Sequence, residues 1–341
     1  MKIYSAIKNK LKSNLSDRNL ENLKTIREIV SYLPNCAFDI IRYAHYSSTF
    51  LNKKSKEKLR AMLIKNFHIV EKGLSLDKPR PGFGQPVIKK LLWQITTYLD
   101  THGPDEVIRY AVNALKSYQK FNKEHEVKLD LLDTQLKSIE ASLHDLYNTN
   151  EGGTLQITRE QILSRCNGNF KELAANRFSI RVFNETPVSE ELIKEAANIA
   201  RKSPSVCNRQ TTRIYSFSTP EQKKSLLALQ NGNRGFGHLA SHVIAITSDL
   251  QCFTGTGERH QAYVDGGLMA MSFVYALQSL GIGSCFLNWS VTADIDERFR
   301  RISGIPKSHV IVTLIAIGNI PEKLNIAESP RLPVNEILIN Q

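Results

Sequence analysis

Two short stretches of this 341-residue chain gather side chains that could hold a phosphorylated heterocycle. In Arg177-Phe178-Ser179-Ile180-Arg181-Val182-Phe183, an extended backbone sets Arg177, Ser179 and Arg181 on one side and Phe178, Ile180 and Val182 on the other. Two guanidinium groups and a hydroxyl facing one way suit a phosphate monoester. Arginine makes charge-assisted, often bidentate bonds to phosphate oxygens, and serine adds a neutral donor. An edge strand with two solvated arginines carries the same pattern. The second stretch, Ser203-Pro204-Ser205-Val206-Cys207-Asn208-Arg209-Gln210, is a polar loop after an amphipathic helix that Ser189 can cap. Asn208 and Gln210 each offer an acceptor and two donors, the set needed to read the edge of a planar heterocycle, although Pro, Ser and Asn also make ordinary turns. Cys207 reads as a buried, inert thiol.

To position these groups the chain must change character part-way. From Leu20 to Leu146 apolar residues recur at helical spacing with almost no strand-like alternation, which predicts helices over 17–33, 55–71, 86–99, 104–121 and 129–147. The prolines at 86 and 104 fall where a first helical turn accepts them. The polar run over 148–154, with two glycines, breaks that period and divides the chain into an all-α segment, 1–152, and a second domain, 153–341. There, Thr158 with Gln161 makes a capping-box helix start. Strands are expected over 212–217, 242–247, 284–288 and 309–317, and helices over 190–201, 220–229 and 266–280. The helix over 266–280 is apolar on nearly every face, as a central or subunit-interface helix is.

The composition, 41% hydrophobic and 23% charged, is that of a folded globular chain. No apolar run reaches the ~18 residues of a membrane span, and the N-terminus lacks the apolar stretch of a secretory signal, so a cytoplasmic location is the expectation. Five scattered cysteines without a C-x-x-C pair argue for reduced thiols and against a cysteine zinc site. His68 and Glu71 find no third ligand in the sequence, so no metal is expected. Net charge is +12, about +9 of it before residue 151. Those lysines are mixed with acids along helical patterns without interleaved aromatics, the pattern of a solvated helix surface more than of a nucleic-acid site.

Taken together, R-x-S-x-R-x-F followed about twenty residues later by a helix and P-S-x-x-N-x-Q resembles the opening of nitroreductase-family flavoproteins, in which both segments wrap flavin mononucleotide (FMN). Asn233, ahead of the A-S-H strand, occupies the family's asparagine position. AYVDGGLMAMSFVYALQSLGIGSC is similar to the family's long central helix and its glycine-rich exit into a strand, and Ser329-Pro330-Arg331-Leu332-Pro333 to its C-terminal basic segment. The resemblance spans roughly 170–338. It implies an α+β fold with a central mixed sheet flanked by helices, preceded here by the all-α segment. It also implies FMN contacts from Arg177, Phe178, Ser179, Arg181 and Arg331 at the phosphate end. Pro204, Ser205, Asn208, Gln210 and Asn233 would lie along ribityl and ring, and the backbone of Leu287 and Asn288 near N5.

The sequence departs from the family in three places. Thr211 and Thr212 follow the glutamine where proline and often an aromatic are usual, Arg181 replaces a common lysine, and Phe236 stands where some members have a second cation. The implied activity is ping-pong hydride transfer from NADH or NADPH through flavin N5 to a small-molecule acceptor, with no side chain forced into acid or base chemistry. Family members are typically intertwined homodimers, and the apolar helix over 266–280 and the long extension after Ile317 agree with that. H-x-x-E-K-G-L at 68–74 and R-x-G-F-G at 80–84 resemble extensions of nitroreductase-like proteins encoded among surface-polysaccharide genes. The alternative reading is a flavin-binding protein that acts mainly through its basic helical segment.

Overall fold

The structure, a computed structural model, describes residues 17–46, 55–143 and 152–340 except 165, 167, 254 and 255. The first part is helical: α1 (Asp17–Tyr46), α2 (Lys56–Leu74), α3 (Gln85–His102), α4 (Glu106–Glu124) and α5 (Asp130–Ala141). Their apolar stripes, with Leu63, Leu91, Ile95, Ile108 and Leu115 fully buried, form one core from α2 to α5. Pro86 sits in the first turn of α3 as expected. Pro104 does not enter α4, because Asp105 takes the N-cap and its carboxylate accepts from the Val107 amide at 2.9 Å. The helix expected over 129–147 ends at Ala141 with Ser142 as its C-cap, and 144–147 lie outside the described residues.

Gly73, near the end of α2, is set by packing. A Cβ there would lie 2.2 Å from the Phe83 ring, which itself stands edge-on to Tyr118 with centroids 5.0 Å apart. Gly73→Ala is therefore expected to destabilise the chain by about 1–3 kcal/mol through overpacking, read as a lowered thermal or denaturant midpoint.

The second part runs β1 (Thr154–Thr158), α6 (Arg159–Leu163), α7 (Phe170–Ala175), α8 (Glu190–Ala200), β2 (Thr212–Phe217), α9 (Pro220–Leu227), β3 (His242–Asp249), α10 (Gln261–Ser279), β4 (Ile282–Asn288), α11 (Ala293–Ser303), β5 (His309–Asn319), β6 (Lys323–Ala327) and α12 (Val334–Ile337). Strands β2-β3-β5-β4 form the main sheet. Every described pairing in it is antiparallel, so the mixing of strand directions that the resemblance implies would have to come from outside these pairings. Successive residues of β3 face opposite ways: Ile244 and Ile246 join the core against α8 and α10, Val243 and Ala245 the core with Phe236 and Phe299. Both faces are covered, which is why the strand reads as one apolar run. On α10, Ala270, Phe273 and Leu277 are buried, while Tyr263, Val264 and Leu268 remain 43–54% exposed.

Two short strands were not apparent from the pattern. Among the described residues, β1 and β6 pair antiparallel only with each other, from Thr154 opposite Ala327 to Thr158 opposite Lys323. The C-terminal arm beyond them docks on the chain's own helices. Leu332 packs on the helical core, the Tyr110 hydroxyl donates to the Arg331 carbonyl (3.2 Å), and Arg60 meets the Glu336 carboxylate through two nitrogens (2.5 and 2.9 Å). The extension after Ile317, taken above to agree with an intertwined dimer, is thus occupied within one chain.

Candidate active site

The segment 177–183 runs extended beside β4, with the Ile180 amide donating to the Ser284 carbonyl at 2.9 Å and Asn184 to Asn319 at 2.9 Å. Ile180, Val182 and Phe183 enter the core. Arg177, Phe178 and Ser179 line a cavity of 770 Å³, together with Tyr275 from α10 and Ser329 and Arg331 from the C-terminal arm. Ile64, Phe67 and His68 of α2 close its other wall. This volume is that of a small-molecule site.

Two residues depart from the alternation expected here. Phe178 reaches the cavity although the pattern set it on the opposite side. Arg181 does not line it: the side chain is 94% buried, its Nη1 approaches the Ser179 carbonyl at 3.4 Å, and its Nε has no hydrogen-bond partner. Inside a packed core the guanidinium is held where the backbone turns from cavity wall to sheet edge.

The cations repel one another. Burial, then the Arg331 charge and more weakly that of Arg181, push the Arg177 guanidinium below its ordinary value. Burial and then Arg181 do the same to the Lys72 ammonium. The Cys285 thiol beneath them is pushed up by burial, a shift opposed by Arg181, Lys72 and Arg177. Desolvated like charges favour an anion between them.

The loop after α8 is built around Asp265, which is 1% exposed. Its carboxylate accepts from the Val206 amide (3.3 Å), the Thr211 hydroxyl (3.2 Å) and the Gln261 side chain (2.8 Å). Thr211 is fully buried and also meets the Ser248 hydroxyl at 2.8 Å, so threonine after Gln210 does a job that proline could not. The Ser205 hydroxyl accepts from the Gln210 amide at 2.8 Å, and Cys207, Asn208 and Gln210 all have φ near +50°. Pro204, Asn208 and Gln210 are exposed, and none of the four residues expected from this loop lines the cavity. Cys207 is exposed as well, contrary to expectation.

Asn233 belongs to another local network. Its amide donates to the carbonyls of Leu227 (2.8 Å) and Gln230 (2.6 Å), and the Gln230 side chain donates to the Asn288 carbonyl at 2.9 Å. The Leu287 side chain is in the core and its carbonyl accepts from the Thr313 hydroxyl at 3.1 Å. Lys72 enters this network from α2, donating to the Gly232 carbonyl at 2.5 Å.

Residues 174–234 and 225–319 match the family model described as the Nitroreductase family. This part of the chain is a nitroreductase-family domain. Curated relatives include the "CR(VI) reductase" of Pseudomonas sp. strain G-1, 25% identical over 183 residues covering 49% of this chain and 72% of that protein. The NADPH-flavin oxidoreductase of Vibrio harveyi is 24% identical over 183 residues, covering 50% and 73%. Among solved structures, the nitroreductase family protein of Streptococcus pneumoniae TIGR4 aligns at 22% identity over 51% of this chain and all of that chain, with a TM-score of 0.44.

The nitroreductase domain does not enclose the cavity by itself. The family match starts at residue 174, and α2 lies well before it. His68 lines the cavity and meets Glu71 at 3.3 Å; Glu71 is wholly buried and accepts from the Gly153 amide at 2.9 Å. Among the described residues no group of three or more His, Cys, Asp or Glu could hold a metal. Of the three α2 residues on the wall only His68 belongs to the H-x-x-E-K-G-L motif; Ile64 and Phe67 precede it.

Proposed function

We propose that this chain is an FMN-dependent NAD(P)H oxidoreductase of nitroreductase type, acting on a small-molecule acceptor as a cytoplasmic homodimer. The observation that carries the reading is the cavity where Arg177, Arg331 and Ser179 converge, with the partly orphaned Arg181 guanidinium behind it. Two cations and a hydroxyl match a phosphate dianion, and 770 Å³ accommodates a mononucleotide. The NADPH-flavin oxidoreductase relative supports a flavin with a nicotinamide reductant.

When bound, FMN would supply two-electron hydride chemistry by a ping-pong route. The chain's own residues bind and orient. Arg177, Ser179 and Arg331 take the phosphate, Phe178 and Tyr275 supply apolar wall, and α2 excludes water from one side. The loop with Pro204, Ser205, Asn208 and Gln210, tied to Asp265 of α10 through the Val206 amide, stands exposed on the helix that also exposes Tyr263, Val264 and Leu268, which suits a second copy burying that face and using the loop to complete its own site. No helix among the described residues is long and apolar enough to cross a membrane. The resemblance of 68–74 and 80–84 to extensions encoded among surface-polysaccharide genes supports a role in that biosynthesis.

A second reading, a flavin-binding protein whose main role is interaction, draws on α1, where Ile26, Ile29, Val30 and Leu33 are all more than half exposed. Turnover separates the two. FMN-loaded protein should consume NADH or NADPH with a quinone or nitroaromatic acceptor far faster than free FMN. A rate indistinguishable from free FMN would favour the interaction protein.

A further inference from the structure

The polar positions of the H-x-x-E-K-G-L turn of α2 each make a contact outside their own helix or line the cavity. Glu71 holds the Gly153 amide, and His68 stands on the cavity wall. The Lys72 Nζ bonds the Gly232 carbonyl at 2.5 Å and lies 5.7 Å from the centroid of the Phe236 ring. The charged group that acts on it most is Arg181. Arg331, Arg177, Arg181 and Lys72 therefore form a string of cations from the C-terminal arm to the helical segment.

The string divides in two. Arg331 and Arg177 share the cavity with Ser179 and suit the phosphate. Arg181 and Lys72 lie beyond it, and the Arg181 Nε, buried with no partner, calls for an acceptor that the protein does not provide. FMN has a second locus of negative charge once it carries two extra electrons, at the N1–O2 edge of its pyrimidine ring, separated from the phosphate by the ribityl chain.

On the FMN reading above, we infer that Lys72 is a cofactor-binding residue, donated by the helical segment to the pyrimidine edge beside Arg181. The segment is then part of the flavin site and raises the affinity for the reduced cofactor. A lysine that merely props the Gly232 loop would affect folding instead.

The full chain with Lys72→Met and Lys72→Arg, beside Arg177→Ala, separates these roles. Lys72→Met should weaken FMN and riboflavin alike, whereas Arg177→Ala weakens FMN and spares riboflavin, which has no phosphate. Lys72→Met should also hold reduced FMN about tenfold less tightly relative to oxidised FMN, a fall of about 30 mV in the two-electron midpoint potential. Lys72→Arg should restore most of that potential. A Lys72→Met protein with an unchanged potential and unchanged flavin affinities overturns the inference, as does one that loses FMN but keeps riboflavin, which would make Lys72 a phosphate ligand. A wild-type chain that ignores FMN overturns the flavin reading itself, a different result from either.

Discussion

Arg177→Ala should weaken the protein's hold on FMN and leave it folded. The guanidinium lines the cavity, and burial there, with the Arg331 charge and more weakly that of Arg181, pushes it below its ordinary value. Removing it deletes a charge-assisted contact worth roughly 1.5–3 kcal/mol, a loss of about tenfold to a hundredfold in FMN affinity measured by flavin fluorescence quenching. It also relieves repulsion that a bound phosphate would otherwise neutralise. The flavin-free variant should therefore melt at the same temperature as flavin-free wild type, or higher. A variant that unfolds would mean that Arg177 is a structural cation, and the anion site would lose its main support.

Asp265→Ala should have the largest effect on stability of the substitutions considered. One buried carboxylate satisfies the Val206 amide, the Thr211 hydroxyl and the Gln261 side chain, and it holds a loop in which three non-glycine residues adopt positive φ. Alanine leaves the part-buried Val206 amide without its acceptor, strips the Thr211 hydroxyl of one of its two partners and frees the Gln261 side chain, for about 2–4 kcal/mol in all. Asp265→Asn keeps one acceptor oxygen and should recover part of the loss. The readout is the thermal midpoint, followed by the rate of proteolytic cleavage at the exposed loop. Equal midpoints for wild type and the alanine variant would show that the loop's shape does not depend on Asp265.

Much of the nitroreductase domain was legible because local signals agreed. Strand β2 covers the expected 212–217, Ser189 caps α8 through the Leu192 amide, and the Thr158–Gln161 capping box forms in both directions. The convergence of three of the expected residues was legible too: Arg177 and Ser179 sit two apart on an extended segment, and Arg331 meets them on the same cavity.

What stayed hidden depends on contacts between distant parts of the chain. Strands β1 and β6 are five residues each and gain their partner only when the chain closes. Helix α11 buries Phe299 alone among its side chains, so its apolar period is faint, although Gly304 at φ 72° marks its end. The cavity wall from α2 could not be inferred from helical periodicity, because Ile64, Phe67 and His68 look like any half-buried turn until the C-terminal arm folds over them. Arg181 misled for the opposite reason: alternation places it beside Arg177, but burial against the sheet edge takes it off the wall.

The most direct measurement is a titration of purified, flavin-free protein with FMN, followed by the visible spectrum and by quenching of flavin fluorescence. A saturable transition at one FMN per chain, with the flavin bands shifted from those of free FMN and the affinity lowered in Arg177→Ala, is the predicted result. A spectrum equal to the sum of protein and free FMN at every ratio would contradict the account at its centre.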